Sequence, residues 1–231
     1  MDSNLLVIKD ISKGLTHHDW SIRSEYVKRL SSIKARYSIR LLAWILKNDN
    51  DVYVRQMAAK ALCEFRDREA ARALIMGLSD PTGLVSHVAL DGLSFFDDPK
   101  LIALIEPLAT SCEPRLRQMA ALALGRLACR EGLPLLAQLL EDQDEEVAIC
   151  AVLALERMNH PERVDLLVHV IESRSGEARM HAVMSLDRIG DPRAIIPLEN
   201  LLSSTYYIWD IEDAIKEVLK GLYRKRKEQT A

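Results

Sequence analysis

Apolar positions recur along this chain at helical spacing, and the helices themselves recur at a nearly fixed interval. Around Arg117, the residues Leu116, Ala120, Leu124 and Leu127 stand at −1, +3, +7 and +10. Those offsets fall on one face of a 3.6-residue helix. Small residues, Ala121 and Ala123, flank that face. The pattern returns at Val54, Ala58, Leu62 and Phe65, and again over Val147–Leu155 and Ala178–Leu186. With the Arg117 position as marker, the register runs Arg23, Arg55, Ser86, Arg117, Ala148, Arg179 and Asp210, in one step of 32 residues and five of 31. A period of that size marks stacked supersecondary units.

Each period predicts two helices, an outer helix A and the marker helix B. The first A helix is expected from Ser3 through Leu5, Ile8 and Ile11 to Leu15, and its B partner carries Ile22, Tyr26, Leu30 and Ile33. Tyr26 stands where later repeats have alanine, a bulk suited to a terminal repeat packed on one side only. The next pairs are expected at about Tyr37–Lys47 with Val52–Phe65, and Arg68–Leu78 with Gly83–Phe96. Asp97-Asp98-Pro99, His160-Pro161 and Gly190-Asp191-Pro192 break B from the following A, because glycine ends a helix and proline begins one. Between A and B, Asp49-Asn50-Asp51, Asp80-Pro81-Thr82 and Asp142-Gln143-Asp144 read as N-caps. Pro107 falls late in an A helix, where nothing in the pattern explains it. In the last repeat the register puts Asp213 at +3 and Glu217 at +7, a polar face that suits a capping repeat.

The count is seven pairs in one repeat domain, 1–231. The repeats span about 1–35, 36–66, 67–97, 98–128, 129–159, 160–190 and 191–223, and a basic tail follows at 224–231. Composition agrees: 48% of residues are hydrophobic but only 5% aromatic, which suits close helix packing more than sheet. The net charge of −3, with mixed signs, gives no bulk attraction for nucleic acid. Cys63, Cys112, Cys129 and Cys150 show no CxxC pairing and read as reduced thiols of a cytoplasmic protein. Neither a signal peptide nor an apolar run near ~20 residues is visible, so no membrane partner is expected.

Three stretches carry a family resemblance: Asp51-Val52-Tyr53-Val54-Arg55-x-x-Ala58-Ala59-x-Ala61-Leu62, Arg117-x-x-Ala120-Ala121-x-Ala123-Leu124-Gly125, and Ile189-Gly190-Asp191-Pro192-Arg193-Ala194-Ile195-Ile196-Pro197-Leu198. They resemble the HEAT-like repeats of the phycobilisome-lyase type. The resemblance implies an all-α, right-handed α-solenoid of about seven HEAT-like helix pairs, with the B helices on the inner curve. It also implies a function, since such repeats mostly build interaction surfaces and some assist in bilin attachment. The leading expectation is a non-enzymatic scaffold or adaptor that holds a protein partner. The alternative is a phycobilin-lyase-like or chromophore-handling subunit. The Arg at the marker is missing at Ser86, Ala148 and Asp210, so a ladder of Arg–Asp pairs is expected to be interrupted there.

Nothing in the residues points to catalysis, a metal or a cofactor. There is no His-Glu dipeptide, no Gly-rich phosphate loop and no Gly-x-Ser-x-Gly. His17-His18 reads as a solvated loop, and Cys150 with His181 lacks a third ligand. Arg224-Lys225-Arg226-Lys227 reads as a solvated helix end. The informative departures lie at +1 and +5 on the solvent side of the B helices. Ser24 and Lys28, then Gln56 and Lys60, are polar, and His87 and Asp91 follow. The positions then turn apolar: Leu122 beside Gln118, Ile149 and Leu153, Met180 and Met184, Ile211 and Ile215. Two readings stand: an exposed apolar strip that binds a protein partner together with His87 and Asp91, or a strip buried by curvature or by a register shift. In the chromophore-handling alternative a tetrapyrrole lies near His87, Asp91 and the strip. If the strip is not the site, the aromatic cluster Tyr206, Tyr207 and Trp209 is the next candidate.

Overall fold

The computed structural model describes residues 13–174, 176–203 and 211–230, and these are helices and short connections with no strand among them. The chain divides into two compact units, Met1–Ile105 and Glu106–Ala231. In the first unit lie α1 (Trp20–Ser32), α2 (Arg36–Asn48), α3 (Val52–Cys63), α4 (Arg68–Gly77) and α5 (Gly83–Leu93). A 3-10 turn at Pro99–Leu101 leads into α6 (Ile102–Ala109), where the division falls. The second unit holds α7 (Pro114–Leu127), α8 (Leu133–Leu140), α9 (Glu145–Arg157), α10 (Glu162–Ser173), α11 (Glu177–Ile189), α12 (Ile195–Ser203) and α13 (Glu212–Thr230). The helices expected at 37–47, 52–65, 68–78 and 83–96 are present to within three residues at each end. Most of the first A helix, Ser3 to Ile11, lies outside the described residues, as do Tyr206, Tyr207, Trp209 and Asp210.

The B helices stack on one another within each unit, α1 on α3 and α3 on α5, then α7 on α9, α9 on α11 and α11 on α13. Their apolar stripe forms the core: Leu62, Leu124, Leu155 and Leu186, all at +7, are wholly buried. Small residues set the spacing. A Cβ placed on Gly125 would lie 2.7 Å from the Ala154 backbone, so α7 and α9 touch at a point where only glycine fits. Tyr26 meets a glycine too: its ring covers Gly14, where a Cβ would come within 2.0 Å.

The A–B loops contain a repeated device. Arg23 pairs with Asp49 at 2.8 Å, Arg55 with Asp80 at 2.7 Å and Arg117 with Asp142 at 2.6 Å. Each guanidinium also donates to two loop carbonyls, those of His17 and His18, Asp49 and Asn50, and Ser111 and Cys112. Each of these aspartates further accepts the amide two residues on, from Asp51, Thr82 and Asp144 in turn. Asp49, Asp80 and Asp142 are therefore loop clamps. The helix caps are Asp51 on α3 and Asp144 on α9. The ladder breaks at Ser86 and Ala148, as the marker residues imply. Beside the second gap Arg174 reaches back to the carbonyls of Leu140 and Asp142 and pairs with Glu145 at 3.3 Å. Glu145 Oε1 in turn accepts the Ala178 amide at 2.8 Å and caps α11, whose own N-cap Gly176 has no side chain to offer.

Pro107 sits inside α6, two residues from its end, with both Pro107 and Ala103 exposed. The bond it removes is the last-turn bond to Ala103, on the outer side of the helix, where water replaces it at small cost.

Candidate functional site

In the second unit, the +1 and +5 residues of α7, α9 and α11 differ in exposure. Ile149 is buried, at 6% exposure, against Ala148 and Ala178, and Leu153 leans on the same cluster. Alanines at these positions bring α9 and α11 close together, and the isoleucine fills the seam. Leu122, Leu153 and Met180 are half-buried, while Met184 is 41% exposed. The strip is thus a seam with an open flank formed by Leu122, Leu153, Met180 and Met184.

Ile211 and Ile215 do not belong to that flank. Both are wholly buried, and the cause is a register shift in the last repeat. Counted from Glu212, the residues Ile211, Ile215, Leu219 and Leu222 stand at −1, +3, +7 and +10, and all four are buried. The last step runs from Arg179 to Glu212, 33 residues in place of the 31 that the repeat interval predicts. Asp213 and Glu217 move with it to +1 and +5, where both are exposed. They are ordinary solvent-side residues of their helix, and they do not replace core alanine and leucine. The apolar flank ends at Met184.

Charge borders the flank. Exposed Glu146 and Glu177 stand at −2, toward the helix starts, and Arg126, Arg157 and Arg188 stand at +9, toward the ends. Arg188 is held by Glu156 at 2.8 Å, and Glu156 also takes the Ser185 hydroxyl. Cys150 lies half-buried on the same side of α9; burial, helped by Glu146 and Asp144, pushes its thiol up to about 11. A thiol at that value is almost wholly protonated near neutral pH. Among the described residues no three of His, Cys, Asp and Glu are grouped to hold a metal ion.

His87 and Asp91 lie in the first unit, one turn apart on the exposed side of α5. His87 Nδ1 is 2.7 Å from the Gly83 carbonyl. Asp91 faces Cys63, whose thiol burial and then this carboxylate raise to about 11.

One feature escaped the sequence reading. Trp20, Trp44 and Tyr53 are 49%, 52% and 46% exposed. Trp20 and Tyr53 meet edge to face, with ring centroids 5.4 Å apart. Trp20 and Trp44 line an open cleft of about 520 Å³ whose rim is Asn48, Asp49, Asn50 and Asp51. The signal that could have found it is Trp44 itself, a large aromatic off the buried stripe Ile39, Leu42, Ile45 and Leu46 of α2. A second cleft of about 480 Å³ shares Asn48, Asp49 and Asn50 and continues to Arg55, Met76 and Asp80.

The stacked helix pairs recur in known proteins. A sequence profile of HEAT repeats matches residues 39–125, 101–175 and 133–220. The chain belongs to the HEAT-repeat family. No curated protein sequence matches it. Among solved structures, importin beta is 15% identical with a TM-score of 0.60, over 94% of this chain and 36% of that one. The complex of CpcE and CpcF of phycocyanin lyase from Nostoc sp. PCC7120 is 23% identical with a TM-score of 0.43, over 92% of this chain and 93% of that one. Human deoxyhypusine hydroxylase is 13% identical with a TM-score of 0.40, over 95% and 96%. The importin beta likeness concerns the all-α HEAT fold. No helix of the described residues is long and apolar enough to cross a membrane.

Proposed function

We propose that this HEAT-repeat protein is a non-enzymatic scaffold that holds a segment of a protein partner on the B-helix face of its second unit. The observation that carries the reading is the change of character at +1 and +5. Gln56 and Lys60 are polar there in the first unit, whereas Leu122, Leu153, Met180 and Met184 form a flank that water touches and no side chain covers completely. Such a flank gains from leaving water, and methionine adapts its shape to what it meets. Glu146 and Glu177 on one border and Arg157 and Arg188 on the other give a bound segment a preferred direction.

Met184→Glu is the test. The position is open enough that the folded state should barely change, while a partner would have to desolvate the new charge. Material captured from native cell extract by the wild type should be lost or weakened by about 2 kcal/mol, a hot-spot magnitude. Lys60→Glu, on the polar face of the first unit, serves as control and should keep full capture. Leu153→Asp is a poorer probe, since Leu153 leans on the Ile149 seam and its loss also reads packing. Full capture by the Met184→Glu protein would overturn the proposal.

A further inference from the structure

The cleft between α1 and α2 belongs to the first unit and shares no residue with the apolar flank of the second. Trp20 and Trp44 each leave about half their surface in water while facing one cavity of about 520 Å³. Single exposed aromatics need no explanation, but two indoles lining one opening call for one.

The same unit meets other aromatic faces with its own cations. Arg29 stands over Tyr26 at 4.9 Å, Lys34 over Phe65 at 4.8 Å and Arg66 over Phe95 at 4.2 Å. Among the described residues no cation stands over Trp20 or Trp44. Among the described residues lining the cleft the one Arg, Arg23, is engaged: Nε and Nη2 go to Asp49 at 2.8 Å, and Nη1 goes to the His17 and His18 carbonyls. His17 Nδ1 accepts the Asp19 amide at 3.0 Å, which requires an unprotonated nitrogen there.

Acceptors line the opening instead. Asp51 caps α3 through Oδ1, which takes the amides of Tyr53 and Val54, and among the described residues Oδ2 has no hydrogen-bond partner. Asn48 spends its Nδ2 on the Trp44 carbonyl, so its Oδ1 remains an acceptor at the rim. The positive helix ends at Trp20 and Val52 are already met by Asp19 and Asp51. An anion would find the Arg23 guanidinium already engaged and, among the described residues of the cleft, only the His17 and His18 imidazoles besides. A cation would find two indole rings and a carboxylate.

We propose that the Trp20–Trp44 cleft binds a cationic side chain, arginine or lysine, displayed by a partner peptide. The indoles supply cation–π faces and Asp51 the counter-charge. A guanidinium fits best, because its flat face stacks on an indole while its edge donates to Asp51 and Asn48.

The intrinsic fluorescence of the full chain, titrated with an acetylated tetra-arginine amide, tests this. Tetraglutamate and tetraproline of the same length serve as comparators. Tetra-arginine should change the tryptophan emission saturably, and the comparators should not. Trp44→Ala should weaken the binding roughly tenfold, and Trp44→Phe, which keeps a ring face, should weaken it less. Asp51→Asn retains a good helix cap, so a several-fold loss there reads the charge. Leu84→Ala, at another exposed position of the same unit, should leave affinity unchanged. Far-ultraviolet circular dichroism of each variant shows that it is folded. The proposal is overturned if tetra-arginine gives no saturable change, if a comparator binds as well, or if folded Trp44→Ala binds like the wild type.

Discussion

Ala128 and Gly190 end α7 and α11 in the same left-handed turn, two repeats apart. Their φ and ψ are 51° and 21° for the alanine and 71° and 23° for the glycine, and each amide donates to the carbonyl four residues back. Only the glycine adopts that conformation without a steric penalty.

Ala128→Gly should therefore stabilise the protein. Relief of the left-handed strain outweighs the extra freedom of glycine in the unfolded chain, for a gain of about 0.5–1 kcal/mol. Differential scanning calorimetry should show a melting temperature higher by roughly 2–3 °C. An unchanged or lower value would mean that the turn carries no strain.

Leu155→Ala removes a wholly buried side chain from the centre of α9. The lost burial and the remaining cavity should cost about 2–5 kcal/mol. Denaturant unfolding monitored at 222 nm measures it, and a loss below about 0.5 kcal/mol would contradict a packed stripe.

The clamps make stability depend on acidity. Hydrogen bonds from Arg117 hold the Asp142 carboxyl below its ordinary value against the opposing effect of burial. At Asp80 burial pushes the carboxyl up, and the bonds from Arg55 and Thr82 outweigh it. A folded-state value below the unfolded one gives stability that is complete above about pH 4–5 and lost as pH falls through the depressed value. Asp142→Asn should thus cost on the order of 1–2 kcal/mol at pH 7 and progressively less toward pH 3. Thermal melts across that range should show the two curves converging in acid. Parallel curves would show that the carboxylate charge contributes nothing.

Thiol chemistry should sort the cysteines. Cys112 is exposed, while burial pushes Cys63 and Cys150 up to about 11. At pH 8 their thiolate fraction is about a hundredfold below that of an ordinary thiol. Iodoacetamide followed by mass spectrometry should modify Cys112 first. Early labelling of Cys150 would contradict its burial.

The stripe at Leu124, Leu155 and Leu186 was legible in the sequence because it repeats at an almost constant interval, and periodicity survives without knowledge of contacts. The same regularity misled at Ile211 and Ile215. A fixed interval was carried across a connection two residues longer, and two residues turn a helix face by more than half a revolution. Ile149 was placed on the correct side of its helix, but sequence does not report how closely α9 and α11 approach. The Trp20–Trp44 cleft went unseen because its walls come from helices in neighbouring repeats, and neither residue lies on a stripe. Arg174 was invisible for a related reason: it serves the gap at Ala148 from the end of α10, outside the marker position.

Glu145 also bears on the order in which the molecule comes apart. By capping α11 from α9, it ties the start of one repeat to the integrity of the repeat before it. Melting α9 withdraws the acceptor that closes the first turn of α11, and an uncapped helix frays from that end. The two repeats should accordingly lose amide protection together, as one cooperative block, even though each has its own buried leucine. A helix that borrows its beginning from its neighbour has no independent threshold for opening.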